Sequence, residues 1–178
     1  WDAKLADVGE RLRAARRAML DDMAPILATA YDAVAQQAAM VECRYESSWN
    51  GPLAEALLAS RDLDVRRGVT TVGPHRDEIH VTLAGAPART HASQGEQRSL
   101  ALALRLAADG VIRTVGVAEP VLLLDDVFSE LDPNRAGALL EALPEGQRIL
   151  TTAAGLPSAA RPDQVIRVHD SALTLESP

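Results

Sequence analysis

The chain has 178 residues, of which 25 are acidic and 18 basic, giving a net charge of −7, and 47% are hydrophobic. These values are typical of a globular domain and exclude a disordered or fibrous chain. No apolar run approaches the roughly 20 residues that a membrane helix needs, and no basic and then apolar leader opens the chain, so a cytoplasmic protein with no membrane partner is predicted. A single cysteine excludes an internal disulfide, and the four histidines lack zinc-type spacing with it.

Residue usage adds two observations. The chain begins at Trp1, which suggests a fragment, and its sole lysine is Lys4. Residues 1–70 carry 9 basic and 11 acidic residues, a net −2, and residues 71–178 carry 9 and 14, a net −5. Neither half therefore has the surplus of positive charge that is typical of a nucleic-acid-binding domain.

The first 40 residues are predicted to be helical. Apolar side chains from Leu5 to Met19 recur at helical spacing, so residues 3–40 form one long helix or a pair of helices. Pro25 can open a second helix or kink the first, because it lacks an N–H donor and clashes with the preceding turn.

A strand and another helix follow. In the stretch VECRYESSW, three alternate residues fall on one face of a predicted strand: Val41, Cys43 and Tyr45. Pro52 then begins a helix that Gly68 ends.

From Gly73 to Ala92 the pattern changes to loop and hairpin. The stretch GPHRDE precedes two predicted short strands, IHVTLAG and APARTH, which lie on either side of Gly85. A strongly apolar helix is predicted from Ser93 to about Asp109.

The last third of the chain alternates strands and helices. Val121 to Leu124 is a continuous aliphatic run, which indicates an interior parallel strand covered on both faces. Pro133 begins a helix, and RILTT, QVIRVH and SALTLE are predicted strands, the last at a sheet edge. The order of elements predicts an α/β protein in which a helical lobe precedes part of a sheet.

The stretch ASQGEQ combines a helix start with a possible anion site. Ser93 and Glu96 have the spacing of a capping box, in which each side chain satisfies a backbone N–H group. Gly95 lies inside this cap, where the missing side chain allows another group to approach the backbone. The cap alone explains the pattern, and a phosphate contact at the helix start is compatible with it.

The stretch VLLLDD ends an apolar strand on two carboxylates. The carboxyl end of a parallel strand is where α/β sheets bind ligands, and Asp125 is placed there to hold Mg²⁺ through water. Period-two geometry would turn Asp126 to the opposite side, free to orient or deprotonate a water molecule. The alternative is that the two aspartates merely begin a solvated loop.

The ordered series SQGEQ, VLLLDD and SELD resembles the signature, Walker B strand and D-loop of ABC-type ATPases of the SMC/Rad50 branch. Within that branch, GPHRDE shortly before the signature resembles the RecF family of bacterial recombination mediators. The resemblance covers about residues 70–155. It implies a partial ABC-type, P-loop NTPase head, with residues 1–70 as the helical lobe and residues 71–178 as the C-terminal part of the ATPase lobe.

The resemblance also implies roles for individual residues. The signature would contact the γ-phosphate of ATP bound to the opposite subunit, through Ser93, Gln94, Gly95, Glu96 and Gln97. Asp125 would be the magnesium-associated carboxylate and Asp126 the catalytic one. The D-loop, from Ser129 to Asp132, would lie across the dimer interface. The resemblance implies no specific role for His75 and Arg76. Two roles stay open for them, which are to brace their loop or to touch a ligand.

The implied function is that of the whole family. ATP would clamp two copies together, and the dimer would engage DNA at gaps or junctions of single and double strands. It would then work with mediator proteins to place the recombinase, in DNA replication, recombination, repair and the SOS response.

The sequence departs from the family pattern at two places. After RILTT, where an ABC ATPase has a histidine that senses the γ-phosphate, the chain has Thr152, Ala153 and Ala154. No stretch matches G-x-x-x-x-G-K-S/T, the loop that cradles the β- and γ-phosphates, so the chain alone is not expected to bind ATP tightly.

Other charged and aromatic residues are assigned structural roles. The arginines of the first helix lie among acidic residues, which favours a solvated helix face, and they are Arg11, Arg13, Arg16 and Arg17. The aromatic residues are too scattered to form a base-stacking platform and are predicted in the core or an interface: Trp1, Tyr31, Tyr45, Trp49 and Phe128.

Two alternatives to a RecF-like ATPase stay open on the sequence. The missing phosphate loop favours a half-ATPase or a structural adaptor that never hydrolyses ATP, whereas the intact signature and paired aspartates disfavour it. A different SMC-like head would require a long coiled coil before the signature, and residues 3–40 are too short for one.

Overall fold

A computed structural model of the chain describes residues 1–116, 119–129, 131–153 and 155–176. The fold divides into two compact units, Trp1–Pro120 and Val121–Pro178. The predicted lobe boundary at residue 70 stays a prediction, and strands from either side of it pair in the first unit. In the part of the chain that the structure describes, no helix is long and apolar enough to cross a membrane.

The first unit opens with a single long helix, α1 (Asp2–Ala35), which settles the choice between one helix and two. Pro25 lies inside it, and the hydroxyl of Thr29, one turn later, donates to the Pro25 carbonyl at 3.2 Å. Burial of one face against the rest of the unit compensates for the backbone hydrogen bond that proline cannot make. The helix ends where Gln36 adopts the left-handed conformation.

An antiparallel sheet in the order β1-β2-β3 lies beside α1, and it is formed by β1 (Val41–Glu46), β2 (Glu78–Leu83) and β3 (Ala86–Pro87). Its register pairs Val41 with Leu83 and Glu46 with Glu78. The predicted face of β1 is confirmed, since its more buried residues alternate from Val41. Helix α2 (Leu53–Arg67) connects β1 to β2 and ends at Gly68 in the left-handed conformation, as predicted.

Two predictions in this unit are wrong in extent. The strand predicted for APARTH is only two residues long, and the chain then turns into a short helix, α3 (Ala88–His91). Helix α4 (Gln94–Val115) continues past Asp109, whose buried carboxylate accepts a hydrogen bond from Arg113 Nε at 2.5 Å one turn later. The helix does not end at Gly110. A Cβ at this position would lie 3.0 Å from the Ile26 side chain of α1, so the glycine allows the two helices to pack closely.

The core of the first unit forms where α1 and α4 pack against one another and against the sheet. Its members share nearly complete burial: Met23, Leu27, Tyr31, Val41, Leu83, Ala88, Leu100, Ala103 and Ala107. A second cluster holds α2 against the start of α1 and is formed by Ala6, Trp49, Leu53 and Leu57. These contacts fix the start of α4, where the signature lies.

The second unit contains a parallel pair, β4 (Leu122–Asp125) and β5 (Arg148–Thr151), joined through α5 (Pro133–Ala142). An antiparallel hairpin follows, formed by β6 (Val165–His169) and β7 (Ala172–Glu176). The parallel direction of β4 is confirmed. The prediction that both its faces are covered is wrong in the described structure, because Leu122 and Leu124 are buried whereas Leu123 between them is 68% exposed.

Candidate functional site

The signature residues form the beginning of α4, where Ser93 is the N-cap. The predicted capping box is confirmed: Glu96 N–H donates to Ser93 Oγ at 3.3 Å, and Ser93 N–H donates to the Glu96 carboxylate at 2.8 Å. The Ser93 hydroxyl donates to the same carboxylate oxygen, also at 2.8 Å. Ser93 is exposed, so this helix start is open to solvent.

A helix start has four N–H groups without partners inside the helix. The capping box satisfies those of Ser93 and Glu96, which leaves the N–H groups of Gln94 and Gly95 as the donors that the start of α4 offers. These donors and the helix dipole favour a bound anion. The Glu96 carboxylate opposes one, and Ser93 can donate to a phosphate only by turning its hydroxyl away from Glu96.

Gln97 has a different contact from its signature neighbours. Its side-chain amide donates to the carbonyls of Ala92 at 3.0 Å and of Arg89 at 3.4 Å. This side chain therefore ties α4 to the short helix α3 before it and fixes the position of the N-cap. Its predicted contact with a phosphate stays a prediction.

The Walker B-like aspartates lie at the carboxyl end of β4 and both are exposed. The Thr151 hydroxyl, at the end of β5, donates to Asp125 Oδ1. Asp126 N–H donates to both the carbonyl of Thr151, at 3.0 Å, and its hydroxyl, at 3.1 Å. Thr151 thus orients the Asp125 carboxylate. This role depends on the parallel pairing of β4 with β5, so it cannot be predicted from the stretch RILTT alone.

The period-two alternation that is predicted to place Asp125 and Asp126 on opposite sides of one strand does not extend to Asp126. Strand β4 ends at Asp125, and Asp126 has a φ of 48° in the left-handed region, so the alternation of an extended chain does not reach it. For a residue other than glycine this conformation is strained, and such strain often occurs at functional sites. The hydrogen bonds to Thr151 hold the backbone there.

The D-loop residues follow in a turn. The hydroxyl of Ser129 donates to the Asp126 carbonyl at 2.8 Å. Asp132 is the N-cap of α5, and its Oδ1 accepts from the N–H groups of Asn134 and Arg135, both at 3.0 Å. Glu130 lies outside the described residues. Asp132 therefore has a structural role as a cap, while its predicted position in a dimer interface stays a prediction.

The segment after β5 has no histidine that could sense a phosphate. The Thr152 hydroxyl donates to the carbonyl of Gly155 at 3.3 Å, Ala153 has no polar side chain, and Ala154 lies outside the described residues. Among the described residues there is also no group of three or more His, Cys, Asp or Glu that could hold a metal ion. A single exposed carboxylate at Asp125 suits Mg²⁺ that keeps most of its water shell.

The loop GPHRDE is held by a polar network in the first unit. The Asp77 side chain has 0% exposure, accepts a hydrogen bond from Ser48 N–H at 2.7 Å and another from the Tyr45 hydroxyl. Arg16 Nη1 lies 4.0 Å from Asp77 Oδ2 and donates to the Pro74 carbonyl at 2.6 Å. Burial, followed by the hydrogen bond with Asp77, raises the pKa of Tyr45.

His75 and Arg76 brace this loop, which was one of their two predicted roles. His75 Nε2 lies 3.2 Å from the carbonyl of Thr70, and Arg76 Nε donates to the same carbonyl at 3.0 Å. Nothing in the described structure brings them to the signature.

The prediction of a solvated arginine face on α1 is wrong for Arg13 and Arg16. Their side chains are 19% and 34% exposed, and Arg16 belongs to the Asp77 network. Arg13 pairs with Glu10 and stacks over the Trp49 ring, with its guanidinium carbon 4.7 Å from the ring centroid. No sequence pattern predicts this contact, because β1 and the loop after it bring the aromatic ring to the helix.

Two of three comparisons with known proteins point to one family. No family model matches the sequence. The DNA replication and repair protein RecF of Frankia alni is 43% identical over 169 residues, which cover 86% of this chain and 44% of that protein.

Two solved structures of the recombination mediator protein RecF in the RecFOR pathway, one with ATPrS and one with ATP, have the same fold as this chain. Both give a TM-score of 0.79. The structure with ATPrS is 27% identical and covers 98% of this chain, and the structure with ATP is 26% identical and covers 99%. The chain spans 49% of each solved chain, about half the length of the proteins it matches.

Proposed function

The chain belongs to the RecF family and matches a C-terminal portion of it, and we propose that it acts within an ATP-dependent DNA-binding protein that repairs single-strand gaps by recombination. In this proposal the protein binds DNA at gaps or at junctions of single and double strands. It cooperates with other recombination mediators and helps to place the recombinase. ATP joins two copies, each supplying the signature for the nucleotide held by the other.

The start of α4 is the observation that carries this proposal. Its exposed N-cap leaves the N–H groups of Gln94 and Gly95 as donors, and the Ser93 hydroxyl lies beside them. A γ-phosphate brought by a second copy would replace the Glu96 carboxylate as acceptor of the Ser93 hydroxyl. Two backbone donors and one hydroxyl, aided by the helix dipole, supply the binding.

The carboxyl end of β4 supplies the remaining groups. Asp125, oriented by Thr151, would hold Mg²⁺ through water, and the ion would neutralise phosphate charge. Asp126 has its backbone fixed and its carboxylate exposed, so it can orient a water molecule or accept its proton. The loop that cradles the β- and γ-phosphates is not within these residues, so the proposed ATPase activity concerns a longer protein.

The test is the substitution Ser93→Arg in the longer protein that carries this chain. A bulky cation at the N-cap should leave ATP binding by the monomer near normal and abolish ATP-dependent dimerisation, measured by light scattering with and without ATP. Loss of the cap costs about 1 kcal/mol, so circular dichroism should show a folded protein.

Ser158→Arg is the matched control, because Ser158 is exposed and lies far along the sequence from the signature. It should dimerise with ATP as the parent does. Undiminished dimerisation of Ser93→Arg would refute the role of the signature between subunits.

A further inference from the structure

Thr151 lies directly beside Asp125 in the parallel pair of β4 and β5. Residues in register on neighbouring strands project from the same face of a sheet, and the face that these two share is also exposed at Leu123 and Ile149. Both side chains are exposed at the carboxyl ends of their strands. A hydroxyl is therefore fixed next to the carboxylate that is proposed to hold a cation.

The contacts of the Thr151 hydroxyl distinguish the two oxygens of the Asp125 carboxylate. The hydroxyl donates to Asp125 Oδ1 and accepts from Asp126 N–H at 3.1 Å, so its proton has a defined direction. Within the described ranges, Asp125 Oδ2 has no hydrogen-bond partner. The protein therefore engages one oxygen of this carboxylate and leaves the other for solvent.

Magnesium and calcium ions make different demands on a carboxylate. Mg²⁺ requires octahedral geometry and keeps several water molecules, whereas Ca²⁺ takes six to eight oxygen ligands and often binds both oxygens of one carboxylate. Asp125 can offer Oδ2 to a water molecule of Mg²⁺ while Oδ1 stays bonded to Thr151. It can offer both oxygens to Ca²⁺ only if the bond to Thr151 breaks.

We propose that Thr151 is a specificity-determining residue, which restricts Asp125 to one free oxygen and so favours Mg²⁺ over Ca²⁺ beside the nucleotide. It is a positioning residue, because it contacts Asp125 and acts on the cation only through that carboxylate. The inference rests on the proposed function, which supplies the ATP and the cation. The adjacent Thr152 has a different contact, since its hydroxyl donates to the carbonyl of Gly155 at 3.3 Å.

The test measures cation binding, not turnover, in the longer protein that carries this chain. Protein in excess over a slowly hydrolysed ATP analogue is titrated with Mn²⁺, and the electron paramagnetic resonance signal reports the free ion. Mg²⁺ or Ca²⁺ then displaces the bound Mn²⁺, and the parent protein should release it at a lower concentration of Mg²⁺ than of Ca²⁺.

Thr151→Val removes the hydroxyl and keeps the shape of the side chain. It should weaken the binding of Mn²⁺ and Mg²⁺ about tenfold, as expected for the loss of a group that orients a metal-associated carboxylate. It should weaken Ca²⁺ binding much less, because both Asp125 oxygens become available, so the preference for Mg²⁺ should narrow. In a protein that already carries Asp125→Ala, Thr151→Val should have no further effect on either cation.

Two variants serve as controls. Thr151→Ser keeps the hydroxyl and should keep the preference for Mg²⁺. Thr174→Val makes the same change at an exposed residue of β7, in the other sheet of the second unit, and should behave as the parent does. Valine suits a strand, and the Thr151 carbonyl still accepts from Asp126 N–H at 3.0 Å in Thr151→Val, so its urea midpoint should equal that of Thr174→Val.

An unchanged preference in Thr151→Val, or an equal loss of preference in Thr151→Ser, would overturn the inference and leave the binding of ATP and Mg²⁺ intact. A further effect of Thr151→Val in the Asp125→Ala protein would also overturn it, since the hydroxyl would then act by another route. A parent protein that binds no Mn²⁺ with the ATP analogue would overturn both this inference and the metal site of the proposed function. Dimerisation is measured separately by light scattering, so its failure would refute the role of the signature and not that of Thr151.

Discussion

Replacement of Asp77 should destabilise the first unit more than replacement of any exposed carboxylate. The buried side chain accepts hydrogen bonds from Ser48 N–H and the Tyr45 hydroxyl and faces the Arg16 guanidinium. Asp77→Ala leaves two partly buried donors without an acceptor and a cation without its partner. Each such donor costs about 1–3 kcal/mol, and breaking a buried ion pair costs about 3–5 kcal/mol. These costs overlap, and because Arg16 is partly exposed we expect a loss of about 3–4 kcal/mol.

Asp77→Asn removes the negative charge of the side chain and keeps its shape, so it separates the two contributions to stability. Its amide oxygen can still accept from Ser48 N–H, so we expect a smaller loss of about 1–2 kcal/mol. Tyr45→Phe should cost about 1 kcal/mol in the parent and much less in Asp77→Ala, where the hydroxyl has already lost its acceptor. Glu78→Ala, the adjacent exposed carboxylate, is the control and should stay within about 0.5 kcal/mol of the parent.

Urea unfolding followed by circular dichroism measures these differences as shifts in midpoint at constant slope. If Asp77→Ala unfolded at the same urea concentration as Glu78→Ala, the network would not stabilise the fold. Additive effects of the Tyr45 and Asp77 substitutions would show that their hydrogen bond carries no coupling.

Three further predictions concern single residues. The pKa of Glu10 lies below its ordinary 4.5, chiefly because its carboxylate accepts a hydrogen bond from Leu53 N–H, with Trp49 and Arg13 adding to the effect. The stabilising effect of the Glu10 carboxylate is therefore complete above pH 4.5 and is lost as the pH falls through the lowered pKa. Glu10→Gln should flatten the acid side of a plot of urea midpoint against pH. Gly9→Ala should destabilise by about 1–3 kcal/mol, measured by thermal unfolding, because its Cβ would lie 2.5 Å from Leu53 Cδ2. Asp126→Asn should slow ATP turnover in the longer protein and prolong the ATP dimer, and hydrolysis at the parent rate would contradict its catalytic role.

The elements that the sequence predicted well are those fixed by local chemistry. The capping box at Ser93, the glycine at the end of α2 and the proline at the start of α5 each act within one helical turn. The errors lie where tertiary contacts decide. The Asp109 ion pair and the packing of Gly110 on Ile26 extend α4, and neither can be read from a hydrophobic period.

The candidate site shows the same division. Motif spacing identified Ser93 and Asp125, because a helix start and a strand end can be recognised within a few residues. Thr151 could not be found in this way, since it reaches Asp125 only through the pairing of β4 with β5. The contact between Arg13 and the Trp49 ring likewise requires α1 and the loop after β1 to come together.

The position of each polar group decides which measurement should detect its loss. Asp77 is buried and its partners belong to the fold, so its replacement should lower stability whether or not ATP is present. Asp125 and Asp126 are exposed, and Thr151 alone among the described side chains orients the first of them. Their replacement should leave the urea midpoint almost unchanged and act on turnover instead. A stability loss at Asp126 comparable with that at Asp77 would mean that its left-handed backbone serves the fold and not the chemistry.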